Sequence, residues 1–330
     1  MNKRSGVICA GNWIVDLVHD IDHWPAESNL TRINAQTRGV GGGAANVIFA
    51  LSRLRTGFPL WPMGAVGDDD YGAFILEECR ALGLSTEQIK IKNGVATAHT
   101  HVMSVAGQSR TFFYQGGAND EMSASDFLAG TFANTPARLF YLGYLTLLGK
   151  LDAFNEEGKT DAKQVLQRAQ AAGMICCVDL VSMPHPRFPA IVASAAPNID
   201  YLIVNEIEAA QATQTKSSGT DAERLTKMAH ELVAMGVRKA VVIHCKDRIV
   251  WANADGSTLV VDVPPVPSDQ IASNLGAGDA FCAGLLFGIH ESWAPAASIQ
   301  LAIAAAKSSL RGHTATEAIP PLFTLMRTDE

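Results

Sequence analysis

The segment Ser273-Asn274-Leu275-Gly276-Ala277-Gly278-Asp279-Ala280-Phe281 sets two glycines and an acid where an irregular Pro-rich stretch, VPPVPSDQ, gives way to the apolar run AFCAGLLFGI. Gly276 and Gly278 permit a tight backbone whose N–H groups point out of a helix N-terminus, and the positive end of such a helix favours phosphate oxygens. An acid there would repel a merely bound anion. It makes chemical sense if Asp279 must accept a proton from an attacking hydroxyl beside a transferring phosphoryl group. A first-turn acid is also an ordinary helix stabiliser, and this stretch alone leaves the two readings level.

A second glycine-rich approach, Gly39-Val40-Gly41-Gly42-Gly43-Ala44-Ala45-Asn46, leads into VIFALSRL. Asn46 falls one turn inside the expected helix, where its amide can donate and accept toward a polyol. GVGGGA also satisfies the GxGxxA dinucleotide fingerprint, but the preceding TRINAQTR is too polar for the buried strand that fingerprint requires. Close helix–sheet packing is the other reading of these glycines. The third constellation is Asn205-Glu206-Ile207-Glu208, directly after the apolar run Tyr201–Val204. Its first reading is a capped helix start. Its second is Mg²⁺ held by Glu208 through water, since Mg²⁺ keeps several waters and takes few protein ligands.

Three other patterns fall short. Gly143–Leu151, GYLTLLGKL, approximates a P-loop, but its spacing is one residue too long and no Ser or Thr follows Lys150. His99 and His101 share one face of an expected strand without a third ligand in view, so zinc is not expected. Six cysteines show no metal-ligand spacing and sit mostly in apolar stretches such as MICCVDL, as buried thiols in a reducing compartment do.

The elements that must position these residues alternate along the chain. The patterns predict strands at Val7–Ala10, Arg138–Leu142, Met174–Asp179, Tyr201–Val204 and Ala240–His244. They predict helices at Ala44–Leu54, Gly72–Leu82, Asp161–Ala172, Ala222–Met235, Asp279–His290 and Ala294–Ser309. Such alternation argues for βαβ units and an α/β, doubly wound, mainly parallel sheet. Strands apolar on consecutive residues, as at Ile175–Val178, fit a sheet covered on both faces. Two segments break the rhythm. Asp16–Arg38 is polar with no helical period, and Ala98–Phe113 alternates around a Gly-Gln turn as a hairpin does. Together they predict a small antiparallel sheet outside the main layer, on one domain spanning residues 1–330.

Bulk properties narrow the class. The 330 residues are 48% hydrophobic and 18% charged, enough for a large core, and the net charge is −7 with Lys and Arg scattered. Nothing in that distribution suggests nucleic acid, and no apolar run approaches the ~20 residues of a membrane span. The N-terminus lacks a secretory apolar region, so a cytoplasmic location is expected.

In order along the chain, these blocks resemble the PfkB (ribokinase-like) carbohydrate kinase family. GNWIVD at Gly11–Asp16 is similar to the family's opening strand with its sugar-contacting acid, here Asp16. Gly42, Gly43 and Asn46 fall on substrate-binding positions of the first family signature. GAVGDDDYG at 64–72 and Gly117-Ala118-Asn119 match two further blocks, with Asn119 as a substrate-side residue. Asn205-xx-Glu208 matches the family's magnesium–phosphate motif, and Gly276-Ala277-Gly278-Asp279 matches the second signature, whose Asp is the catalytic base.

What the resemblance implies is a ribokinase-like fold with a β-sheet lid built from about 16–38 and 98–113, and a possible homodimer through that lid. It implies ATP and Mg²⁺, with Asp279 deprotonating the acceptor hydroxyl of a sugar-like small molecule while the lid excludes water. The chain departs from the family at Ser273 and Asn274, where members often carry Asp-Thr of a monovalent-cation site, which argues against potassium activation. It departs again at His244-Cys245-Lys246, where the nucleotide is commonly bordered, so His244 and Lys246 are expected cofactor contacts. A third departure is Asp179-Leu180-Val181-Ser182, which lacks a frequent Asn and Arg. The nearest rival is a nucleoside kinase with Trp13, Phe112 and Phe113 forming a base pocket. A non-catalytic sugar- or nucleotide-binding regulator is a rival of another class, and an NAD-dependent oxidoreductase a distant third.

Overall fold

The computed structural model describes residues 4–108, 110–215 and 219–326. Among the described residues thirteen strands run in chain order: β1 Val7–Gly11, β2 Ile14–Ile21, β3 Ile33–Gly41, β4 Leu60–Gly67, β5 Ile89–Lys92, β6 His99–Ser104, β7 Thr111–Gln115, β8 Leu139–Leu145, β9 Ile175–Leu180, β10 Tyr201–Asn205, β11 Ala240–His244, β12 Arg248–Asn253 and β13 Thr258–Asp262. Nine form one sheet in the order β13-β12-β11-β10-β9-β8-β1-β4-β5. Every pairing in it is parallel except those of β12 and β13 at one edge.

The central strands are buried along their whole length. Val7–Gly11 has no accessible residue, and Ile175–Leu180 only one that is part-exposed. Helices on both faces cover them, so alternate side chains enter two separate apolar layers. Ile8 and Val178 belong to one layer, Val7 and Cys177 to the other. That is why these strands read as continuous apolar runs rather than alternating ones. The helix Ala277–Glu291 lies in the second layer with Gly43–Leu54 and Pro295–Ser309, buried continuously from Asp279 to His290.

The chain leaves β1, builds part of a second sheet, and returns as β4 on one side of β1, whereas β8 flanks β1 on the other. Between β1 and β8 the winding therefore reverses, and the crevice at the carboxyl ends of such strands is where doubly wound folds bind ligands.

The second sheet is small, ordered β3-β2-β6-β7, with β2–β3 and β6–β7 antiparallel and β2–β6 parallel. Its strands fall within a few residues of the two segments that broke the alternation. Asp16 lies opposite Gly39 on one side and Thr100 on the other, and Thr100 lies opposite Tyr114. Asp16, Thr100 and Tyr114 therefore share one face. On the opposite face Val15 and Leu17 join the core.

Helices start and stop within two residues of expectation, as for Asp70–Ala81 and Ala277–Glu291. Several elements were not anticipated, among them β4, β5, β12 and β13. Among the described residues no helix is long and apolar enough to cross a membrane.

Candidate active site

Gly276 begins the site. It takes φ +73°, and a Cβ there would stand 2.3 Å from the Ala315 side chain, so backbone conformation and space both require glycine. The next residues turn directly into the helix Ala277–Glu291, which starts without any side-chain cap. Four other helices are capped by Asp69, Thr160, Asn205 and Asp221, each accepting a first-turn N–H, whereas Phe188–Ala195 and Pro295–Ser309 also start without a side-chain cap. At Gly276 no side chain takes the first-turn N–H groups, and Gly276, Ala277 and Gly278 line a cleft of about 740 Å³.

Asp279 stands in that first turn, 6% exposed, and lines the same cleft. Asn46 Nδ2 donates to its Oδ2 at 2.8 Å, and the Tyr144 hydroxyl lies 2.7 Å from Oδ1 and 2.8 Å from Oδ2. Burial pushes the Asp279 carboxyl up to about 7; the Tyr144 and Asn46 hydrogen bonds pull it back, while the charges of Asp16 and Glu208 add to the rise. A base that titrates near neutrality is suited to taking a proton in its transition state. Tyr144 itself stays protonated, because burial and the neighbouring Asp279 charge push its hydroxyl well above the usual phenol range.

Asn46 comes from the first turn of Gly43–Leu54, another helix start without a side-chain cap. Its Oδ1 is buried with no hydrogen-bond partner among the described residues. A buried amide oxygen in that condition is free to accept a hydrogen bond from a molecule in the cleft. Asp16 and Gly42 line the same wall. Burial raises the Asp16 carboxyl to about 6, against the Thr100 hydroxyl and the Arg110 charge.

Across the cleft, Asn205 and Glu208 form a capping box. Asn205 Oδ1 accepts from the N–H groups of Ile207 and Glu208, both at 2.9 Å, and Glu208 Oε2 accepts from Asn205 N–H at 2.9 Å. The other oxygen of Glu208 accepts from Ser182 at 2.9 Å and from Asn205 Nδ2 at 2.7 Å. The capped-helix reading of this motif is thus met, and the acid of the cap lines the cleft. Burial lifts Glu208 to about 7 against those hydrogen bonds. Asp179, at the carboxyl end of β9, is buried beside it; burial and then the charges of Glu208 and Asp279 hold it well above the usual carboxylate range.

Four expected contacts lie off the cleft lining. Gly43 is covered by the Tyr144 ring, whose carbons would stand 2.9 Å from a Cβ, so its role is to let Tyr144 reach Asp279. Asn119 is fully buried and its amide clamps the Trp13 backbone, accepting from N–H and donating to O at 3.2 Å each. His244 packs against Phe281 at 4.8 Å between ring centroids, and burial lowers it to about 4. Lys246 sits exposed in the turn between β11 and β12. Trp13, expected in a base pocket, is a core residue whose Nε1 donates to Met63 O at 3.0 Å, and Phe113 faces away from the cleft-lining Phe112. Among the described residues no group of three or more His, Cys, Asp or Glu is placed to hold a metal directly.

Tyr144, Asp179 and Arg110 were not picked out as site residues. Tyr144 and Asp179 follow apolar strand runs, the position where doubly wound folds place ligand contacts, and that signal was available. Arg110 follows the Gly-Gln turn of the small sheet.

A sequence model described as pfkB family carbohydrate kinase matches residues 5–321. The chain is 26% identical to the 5-dehydro-2-deoxygluconokinase of Geobacillus thermodenitrificans, over 97% of this chain and 91% of that one. It is 24% identical to the protein of the same name from Clostridium beijerinckii, over 91% and 87%. Among solved structures, Arabidopsis thaliana ribokinase complexed with ribose and ATP matches with a TM-score of 0.79 at 20% identity, covering 98% of each chain. The Burkholderia thailandensis nucleoside kinase in complex with inosine matches with a TM-score of 0.75 at 20% identity, over 97% and 96%. These structural likenesses establish a ribokinase-like fold. Since the family pattern runs from residue 5 to residue 321, the protein belongs to the pfkB family of carbohydrate kinases, phosphotransferases that act on an alcohol group.

Proposed function

We propose that the protein transfers the γ-phosphate of ATP to a hydroxyl of a sugar or sugar derivative, with Asp279 as general base. The observation that carries this reading is the position of Asp279, in one cleft with Asp16 and Asn46 on the acceptor side and an uncapped glycine helix start on the other. Asn46 and Asp16 orient the acceptor. Asp279 takes the hydroxyl proton as the new O–P bond forms and the bond to ADP breaks. The N–H groups of Ala277 and Gly278 stabilise the charge that develops on the phosphoryl oxygens. The small sheet closes over the acceptor and keeps out water, which would compete as nucleophile.

Mg²⁺, when bound, would neutralise the β and γ oxygens of ATP. The oxygens of Glu208 are already occupied by Ser182 and Asn205, which supports contact through water rather than direct ligation. Ser273 accepts a hydrogen bond from Arg110 at 2.9 Å, which supports an enzyme without a monovalent-cation site there. All six cysteines are unpaired, in keeping with a reducing cytoplasmic setting. Ile33 and Phe113, 51% and 53% exposed on the small sheet, support a homodimer through that sheet.

The acceptor named for the relatives, 5-dehydro-2-deoxygluconate, heads the candidates. Screening it with 2-keto-3-deoxygluconate, ribose, fructose and adenosine for ADP release in the presence of ATP and Mg²⁺ tests the reading. Turnover with a sugar or sugar acid and little with adenosine is expected. Preferred phosphorylation of adenosine would make it a nucleoside kinase. Ligands that raise the melting temperature while none yields ADP would make it a non-catalytic binding protein.

A further inference from the structure

Tyr144 stands where the sheet stops supporting its backbone. β1 and β8 pair as far as Gly11 and Gly143, and the pairing of β8 with β9 shifts register between Leu142 and Leu145. The chain then turns. Leu147 N–H donates to Tyr144 O at 3.2 Å, and Thr146 takes φ +84°, a conformation that costs a non-glycine residue energy. Backbone polar groups shut off from water outside a ladder need other partners.

Asn12, the fully buried residue after β1, supplies them. Its Oδ1 accepts from Tyr144 N–H, its Nδ2 donates to Leu147 O at 3.0 Å, and its own N–H donates to Gly143 O at 2.8 Å. One orientation of the amide serves both ends of the turn, because an N–H must meet its oxygen and a carbonyl its nitrogen. An ionised Asp would have no donor for Leu147. Past the turn, Leu148 N–H donates to the buried Asp152 at 2.7 Å. Tyr144 and Leu147 line the cleft, and Asn12 is not among its lining residues. The turn must hold Tyr144 closely. Its hydroxyl lies 2.7 and 2.8 Å from the two oxygens of Asp279, and a shift of about 1 Å would take it out of hydrogen-bonding range.

We propose that Asn12 is a positioning residue for the base: by holding the turn at Tyr144 and Leu147, it keeps the Tyr144 hydroxyl on the carboxylate of Asp279. The inference rests on Asp279 being the base of the kinase reading, and it adds a residue from outside the cleft lining. An asparagine that only filled space and satisfied the turn would affect stability and leave the titration of Asp279 alone. One that positions Tyr144 acts on that titration, and does so only while the Tyr144 hydroxyl is present.

The test is a carbon NMR titration of the Asp279 carboxyl, assigned by its loss in Asp279→Asn and run without ligands, so that it reads independently of turnover. Wild type, Asn12→Ala, Tyr144→Phe and the double variant form a cycle. Asn12→Ala is expected to raise the midpoint by about half to one pH unit, less than Tyr144→Phe does. In the Tyr144→Phe background it is expected to add nothing. The acid limb of kcat/KM is expected to follow, with a loss of about 2- to 5-fold at pH 7 and recovery near pH 9. Melting curves verify that the variants fold. If Asn12→Ala does not, Asn12→Ser, which keeps a hydroxyl near the Tyr144 N–H, takes its place in the cycle with a shift in the same direction. An unmoved midpoint overturns the proposal. So does a midpoint that moves as far in the Tyr144→Phe background as in the wild type, since Asn12 would then act by another route. If the midpoints move as expected but no acceptor yields ADP, the kinase reading fails and the positioning by Asn12 stands.

Discussion

Replacing Tyr144 by Phe removes the hydroxyl that lies 2.7 and 2.8 Å from the two oxygens of Asp279. It keeps the ring that Gly43 makes room for. A hydrogen bond to a charged group is worth about 1.5–3 kcal/mol, and 1.36 kcal/mol corresponds to about one pKa unit. The hydroxyl stabilises the ionised carboxylate, so its loss disfavours the charged form and raises the Asp279 pKa. From about 7 it should climb by about one to two units. Because the base acts ionised, the acid limb of kcat/KM against pH moves to higher pH. At pH 7 the variant is expected to lose about 5- to 50-fold in rate, and near pH 9 it should come within about twofold of the wild type. The assay is coupled ADP release across pH 5.5 to about 9.5, at saturating ATP. An acid limb that stays in place, or a loss uniform across pH, would refute the claim that Tyr144 tunes the base.

Two further predictions follow from the same carboxyls. Glu208→Gln keeps the shape of the capping box but removes the negative charge facing the cleft, so the Mg²⁺ concentration giving half-maximal rate should rise by about 10- to 100-fold; an unmoved Mg²⁺ curve would dissociate Glu208 from the metal. Asp279, Asp16 and Glu208 all have folded-state pKa values above their ordinary ones, at about 7, 6 and 7. Their protonated forms are favoured in the fold, so the stability they contribute is complete below about pH 4 and is lost as pH rises through about 7. Melting temperature should therefore fall over that window, and Asp279→Asn should flatten part of the fall; a parallel curve for the variant would contradict the assignment of a raised pKa to that side chain.

The alternation of strands and helices was legible because burial on both faces leaves a direct imprint, consecutive apolar residues in VICAG and ICCVDL. The small sheet was legible for other reasons: β6 alternates between buried and half-buried residues, and the segment that carries β2 and β3 is polar with no helical period. β4 was missed because LWPMGAVG carries Pro62 and Gly64, which depress a strand reading although the parallel pairing with β1 accommodates both. β12 and β13 flank Asp255-Gly256, a hairpin signal that the sequence carries.

Within the site, Asp279 and Asn46 could be found because each belongs to a local glycine-to-helix pattern. Tyr144 could not be weighed in the same way. It becomes a partner of Asp279 only when the order of strands sets β8 beside β1 and Gly43 lets its ring pass. Asn119 shows the converse, since a block that marked substrate contact places its amide on the Trp13 backbone.

The central claim is that one buried carboxylate removes the acceptor's proton, and single-turnover phosphorylation by purified Asp279→Asn measures it directly. With ATP, Mg²⁺ and the preferred acceptor saturating, the rate is expected to fall by about 10²- to 10⁴-fold, with acceptor affinity little changed. A variant that still phosphorylates at close to the wild-type rate would contradict the account.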